Sequence, residues 1–135
     1  MTHEQILRLV DDLYAATGAG DFDAAEKMLA DDLVITEADN LPMAGVYKGR
    51  TALRELYTKV MGMMDVAALR RVQTTTGGDY AITILSFEFK DKSLSPAHLC
   101  ELFHIRDGKI FEIRPYYFDP TPIIAACNAK KAESL

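Results

Sequence analysis

Several things are scarce in this sequence, and each scarcity removes a class of protein. The 135 residues contain two cysteines, Cys100 and Cys127. Two thiols do not make a disulfide framework, so a reducing, cytoplasmic setting is the expectation. No run of 18 or more apolar residues occurs, and no membrane-spanning helix is expected. The opening "MTHEQILRLVDD" lacks the basic-then-apolar order of a secretory signal. Positive charge is in the minority: 15 Lys and Arg face 20 Asp and Glu, a formal net charge of −5. That balance argues against a phosphate backbone as partner, so no nucleic acid is expected. No glycine-rich phosphate loop or nucleotide fingerprint occurs, and no cofactor is expected. No repeat, low-complexity tract or linker is visible, and the length suits one domain over 1–135.

Apolar spacing organises the rest. Residues 3–17 place Ile6, Leu9, Val10, Leu13 and Thr17 on one helical stripe, with Thr2 as cap and Gln5 completing a capping box. The glycines of "TGAGD" end that helix, and Asp21 opens a second, "FDAAEKMLA". A β-rich run predicts a strand from about 32 to 38. Residues 39–48 read as an irregular loop. Residues 51–64 return to helical spacing through Leu53, Leu56, Tyr57, Val60, Met61 and Met64. Strands are then expected at roughly 66–76, 79–90, 97–106 and 110–118, the last two joined by the tight turn "RDGK". The remainder, 120–135, is a tail that is either flexible or carries a short helix opened by Thr121 and Pro122. The expected class is α+β: three N-terminal helices packed on a curved, mainly antiparallel (mixed) sheet that encloses a pocket.

The stretch "HLCELFHI", His98–Ile105, gives the pocket a chemical character. One face of this strand reads Cys100, Leu102, His104; the other reads Leu99, Glu101, Phe103, Ile105. The second face is apolar except for one carboxyl. His98 and His104 on the first face are roughly 20 Å apart along an extended strand, too far to share one metal ion. No metal site is expected there.

The segments "AGDFDAAEKMLADDLVITE", "GRTALRELY", "SFEF" and "ELFHIRDGKIFEIRPYYF" resemble, in order and over roughly residues 5–118, the NTF2-like superfamily in its SnoaL-like and ketosteroid-isomerase-like branch. The resemblance implies a conical fold and a homodimer formed through the outer sheet face. For a ketosteroid-isomerase-like site it implies a carboxylate base, here Glu37, and a carboxylic acid kept neutral by apolar surroundings, here Glu101. Tyr57 is the possible helper. The family's phenol donor falls on Leu13, with Tyr14 next to it. The implied pocket is completed by Met61, Thr83, Leu85, Phe87, Phe103, Ile113, Pro115, Tyr117 and Asp119, the inward positions of their strands. A limonene-epoxide-hydrolase-like site is not expected, because Arg106 and Arg114 alternate to the outer face.

The implied function is cofactor-free acid–base chemistry on a small, mostly apolar carbonyl compound, an isomerisation or an aldol-type cyclisation. Two alternatives stay open: a non-catalytic binder of a small hydrophobic molecule, and a dimeric interaction domain. Residue roles have alternatives too. Glu101 reaches solvent if the strand lies at an edge. Glu37 ends its strand and competes with Asp39 for the base position. Tyr57 and Tyr117 also suit plain wall residues, Met61, Met63 and Met64 core filler, and Asp119 the cap of the tail.

Overall fold

The computed structural model describes residues 1–134. Helix α1 (His3–Gly18) starts with the capping box read from sequence: the Thr2 hydroxyl accepts from the Gln5 N–H at 3.1 Å, and Gln5 Oε1 accepts from the Thr2 N–H at 2.8 Å. The Asp21 carboxylate caps α2 (Phe22–Glu26) by accepting from the Ala24 N–H at 3.1 Å. This helix stops before Lys27, shorter than its sequence pattern suggests, and β1 (Leu29–Glu37) begins three residues earlier than expected. The cause is a pairing remote in sequence. The Ile110 N–H donates to the Met28 carbonyl at 3.0 Å and Leu29 pairs with Ile110, so "KMLA" leaves the helix and joins the sheet. Tertiary pairing here overrides local propensity.

Gly45–Lys48, expected as loop, forms a short edge strand β2 antiparallel to β1, with Glu37 opposite Gly45. Four residues give too little alternation to be read as a strand. Helix α3 (Ala52–Met63) buries Leu53, Leu56 and Val60. Strands β3 (Val66–Gly77), β4 (Tyr80–Phe89), β5 (Ala97–Arg106) and β6 (Lys109–Tyr117) follow as an antiparallel meander. Asp107 and Gly108 close the last hairpin with φ of 53° and 76°, as an Asp-Gly turn requires. The six-stranded sheet has the order β2-β1-β6-β5-β4-β3, and β1–β6 is its parallel pair. Register shifts in β3 and at His104/Ile105 let the sheet curl around α1 and α3.

Three helices precede the meander, and the structure adds a fourth, α4 (Thr121–Glu133), longer than the short helix suggested by Thr121 and Pro122. It buries Ile123, Ala126 and Cys127. Lys130 Nζ ties it to the end of α3, donating to Asp65 Oδ1 at 3.0 Å and to the Met61 carbonyl at 3.4 Å. None of the described helices is long and apolar enough to cross a membrane.

The inner sheet face and the helices share one core, in which Val10, Leu33 and Ile35 are fully buried. Truncating Leu33 to Ala should cost about 2–5 kcal/mol, because a rigid sheet cannot collapse into the void. Thr2→Ala should cost about 1 kcal/mol through the lost cap. Urea unfolding of both variants checks this ranking; equal losses would contradict it.

Candidate active site

Inward alternation on four strands builds the site. On β1, Leu33, Ile35 and Glu37 point to the core side, and Glu37 ends the strand only 4% exposed. On β5, Leu99, Glu101, Phe103 and Ile105 share the inner face. Glu101 sits between Thr83 on β4 and Pro115 on β6 in the ladder. Pro115 lies beyond Ile113, the last β6 residue paired with β1, so its missing N–H leaves no gap on that side. Helix α3 closes the space with Leu56, Tyr57, Val60 and Met61.

The result is a cavity of about 50 Å³, room for a few waters. Its wall is apolar, including Ile35, Leu85, Phe87, Leu99 and Ile113. Glu37, Glu101, Tyr57 and Tyr117 bring polar atoms to it. Phe87 and Tyr117 stack with centroids 6.4 Å apart. A smaller void of about 20 Å³ lies on the α1 side of Glu101, bounded by Leu13, Tyr14, Thr17 and Phe103.

The phenol of this site comes from Tyr14. Its hydroxyl donates to Glu101 Oε1 at 2.5 Å. Leu13 is packed in the core at 3% exposure. One residue turns a helix by about 100°, and α1 is placed so that Leu13 fills space while Tyr14 reaches across to β5. The Tyr14 ring meets the Phe103 ring edge-on, with centroids 5.8 Å apart. The Arg71 guanidinium lies 4.4 Å from the Tyr14 ring centroid. Two consecutive arginines on an edge strand look like solvated surface in the sequence; alternation puts Arg71, opposite Leu85, on the inner face with Leu69, where it meets Asp11 of α1.

Burial sets the electrostatics. Desolvation, the largest cause, pushes the Glu37 carboxyl up to about 8, and negative charge on Glu101 adds to it. Glu37 Oε1 has no hydrogen-bond partner among the described residues. Desolvation also raises Glu101, and the Tyr14 bond, which favours the ionised form, offsets this only in part. Glu101 is half-buried and lines the cavity. Burial first and Glu101 second push the Tyr57 phenol up to about 12. Tyr14 and Tyr117 are raised for the same two reasons, with Glu37 also acting on Tyr117. Two carboxyls on one cavity, with the charge of Glu101 disfavouring ionisation of Glu37, are a suitable acid–base pair.

One expected pocket residue lies elsewhere. Asp119 is exposed and accepts from the Thr121 N–H at 2.9 Å, so it caps the turn into α4. The strand ends at Tyr117, and the alternation that would have aimed Asp119 inward ends with it. Thr83 is fully buried opposite Glu101, its hydroxyl bonded to Thr74 Oγ1 at 2.9 Å and beside the Tyr14 hydroxyl. Asp39, the rival of Glu37, is exposed on the loop. Met61 stands at the rim, 42% exposed.

Raised carboxyl pKa values make stability depend on pH. The folded state holds the Glu37 proton up to about 8, whereas the unfolded chain releases it near 4.5. The stabilisation is complete below the unfolded value and is lost as pH rises through the folded one. Unfolding free energy should therefore fall between pH 5 and pH 8.5, by an amount on the order of a few kcal/mol from this group. Glu37→Gln should flatten the slope. Urea midpoints at the two pH values measure it; a wild-type curve no steeper than that of the variant would contradict the assignment.

Comparison with known proteins agrees with this architecture. A family model described as SnoaL-like domain matches residues 10–113. A search of curated proteins gave no match. Among solved structures, an NTF2-like protein from Burkholderia xenovorans LB400 is similar with a TM-score of 0.75 and 22% identity, covering 95% of this chain and 99% of that one. Bal32a, from a soil-derived mobile gene cassette, is similar with a TM-score of 0.78 and 18% identity, covering 92% and 97%. TerC, co-crystallised with polyporic acid, gives 0.79 and 12%, covering 92% and 98%. At these identities the structural likeness speaks for the fold alone. With the family match across most of the chain, the conclusion is that this protein has the NTF2-like fold and belongs to the SnoaL-like domain family.

Proposed function

We propose that the protein is a cofactor-free acid–base catalyst acting on a small, mostly apolar carbonyl compound. The observation that carries this reading is the pairing of two enclosed carboxyls, Glu37 and Glu101, on one apolar cavity, with the Tyr14 phenol bonded to the second. Glu37 is the base. Its Oε1 has no protein partner among the described residues and is free to take a proton from the carbon next to a carbonyl. Glu101 is the acid on the oxyanion side. While Oε1 accepts from Tyr14, a proton on Oε2 can be donated to the oxygen that gains charge. Tyr57, which lines both voids, assists there. Glu37 then returns the proton to another carbon, giving isomerisation, or the enolate attacks a second carbonyl, giving an aldol-type ring closure.

The cavity is small beside the usual ligand pocket of about 300–1,000 Å³, so a substrate must displace the Met61 and Tyr57 side chains at its rim. The co-crystallisation of TerC with polyporic acid supports a small organic occupant for this fold. A non-catalytic binder is the second reading. It is favoured by the Tyr14 hydroxyl being committed to Glu101.

We also propose a homodimer through the outer sheet face. Ile84, Cys100 and Tyr116 are cross-strand neighbours there, and Ile84 and Tyr116 are exposed large apolar side chains. Ile84→Lys should lower the mass seen in sedimentation from dimer to monomer; a wild-type monomer would refute this arrangement.

Turnover of enones and β-dicarbonyl compounds is the test of the chemistry. Glu37→Gln and Glu101→Gln should each lower kcat/KM by roughly 10²–10⁴. Wild-type kcat/KM should rise with pH up to about 8, as Glu37 ionises. Variants that turn over as fast as wild type would remove both carboxyls from the mechanism. Unchanged affinity for a bound compound with no turnover in any form would favour the binder.

A further inference from the structure

Beside the carboxyl cavity lies a groove of about 650 Å³, between the end of α1, α2, the end of α3 and the first half of β3. The two spaces share Tyr57, Met61 and Leu69 as walls. Tyr14 also stands between them: its ring lines the groove, and its hydroxyl bonds Glu101 in the cavity. The groove floor is apolar and small-sided, with Ala67, Ala68 and Gly18 to Gly20. It has a single charged lining residue, Arg71. Asp11, the carboxylate paired with Arg71, is not among the residues lining the groove.

Arg71 is held in place rather than free. Nη2 donates to Asp11 Oδ1 at 2.6 Å and to Thr74 Oγ1 at 3.1 Å, and the guanidinium plane lies on the Tyr14 ring. Its other nitrogens donate to no partner among the described residues, and the side chain is 32% exposed. With both Nη2 hydrogens committed, the Nε and Nη1 N–H groups remain to give single charge-assisted hydrogen bonds to the oxygens of a carboxylate. The cost of ordering such a side chain has already been met by Asp11, Thr74 and Tyr14.

We propose that this groove is a subsite for the carboxylate end of an amphipathic ligand, held by Arg71, whose apolar end passes Tyr57, Met61 and Leu69 into the cavity. This narrows the substrate class for the proposed reaction to carbonyl compounds bearing an acidic tail, and in that respect it rests on the reading of the cavity as the reaction chamber. Recognition by the groove itself does not depend on turnover.

A matched pair of fluorescent probes tests it. 8-Anilinonaphthalene-1-sulfonate carries an aromatic body and one anionic group; N-phenyl-1-naphthylamine is the same body without the charge. In Arg71→Gln, affinity for the anionic probe should fall about tenfold or more, as expected for a lost charged hydrogen bond, while the neutral probe stays within about twofold. Arg71→Lys should recover part of the loss, since it restores charge without the fork. Ala68→Trp should weaken both probes by filling the groove. Glu101→Gln should leave the Arg71 dependence intact, so that failure of the chemistry and failure of the groove are told apart. The proposal is overturned if Arg71→Gln leaves the anionic probe unaffected, if it weakens both probes equally, or if the wild-type protein binds no anionic probe.

Discussion

The structure is organised around the cost of placing carboxyl groups away from water. A buried carboxylate is expensive unless it is paired or neutralised, and no cation among the described residues lines the cavity that Glu37 and Glu101 share. The chain meets this by keeping protons on the acids. Desolvation raises both, and negative charge on Glu101 further raises the cost of ionising Glu37. One neutral hydroxyl, from Tyr14, is the partner supplied to Glu101. Glu37 Oε1 has none among the described residues. An unsatisfied polar atom in a sealed core would be a defect; at the wall of a cavity it is an open position for a reacting group.

The fold exists to hold those groups in register. The β1–β6 parallel pair puts the end of β1, with Glu37, beside the inner face of β6, and β5 pairs on the other side with Glu101 opposite Pro115. Curling of the sheet then turns both carboxyls toward α3. Helix α1 crosses the far side and delivers Tyr14. The arginine-to-ring contact at 4.4 Å and the Asp11 bond to Arg71 fix the phenol from its other face. Through Tyr14 the groove outside and the carboxyl inside are joined by two direct contacts.

Most of the fold was legible in the sequence, because its signals are local. Thr2 and Gln5 form their box, Asp21 caps, and Asp-Gly makes the hairpin turn, each within a few residues. What could not be read depended on contacts remote in sequence. Met28 and Leu29 leave a helical pattern because Ile110 pairs with them. Four residues from Gly45 form a strand because β1 offers an edge. The inward face of Glu101 was readable from period-two alternation, whereas Glu37 was reached only through the family resemblance, with Asp39 as its rival. The choice between Leu13 and Tyr14 was not readable, since it depends on the rotation of α1 against β5. Asp119 was misplaced by extending an alternation past Tyr117, where the strand stops. Arg71 escaped notice because its partners, Asp11 and the Tyr14 ring, lie on a helix some sixty residues away in sequence.

The central claim is that both carboxyls sit in an enclosed, shared cavity and hold their protons above the ordinary carboxyl range. The most direct measurement is a carbon-detected NMR titration of the glutamate side-chain carboxyls, with Glu37→Gln and Glu101→Gln to assign the two resonances. The account predicts that Glu37 titrates near 8, that Glu101 also titrates above the ordinary carboxyl range, and that Glu101→Gln lowers the Glu37 midpoint. Two independent transitions near the unperturbed glutamate value of about 4.3 would contradict it.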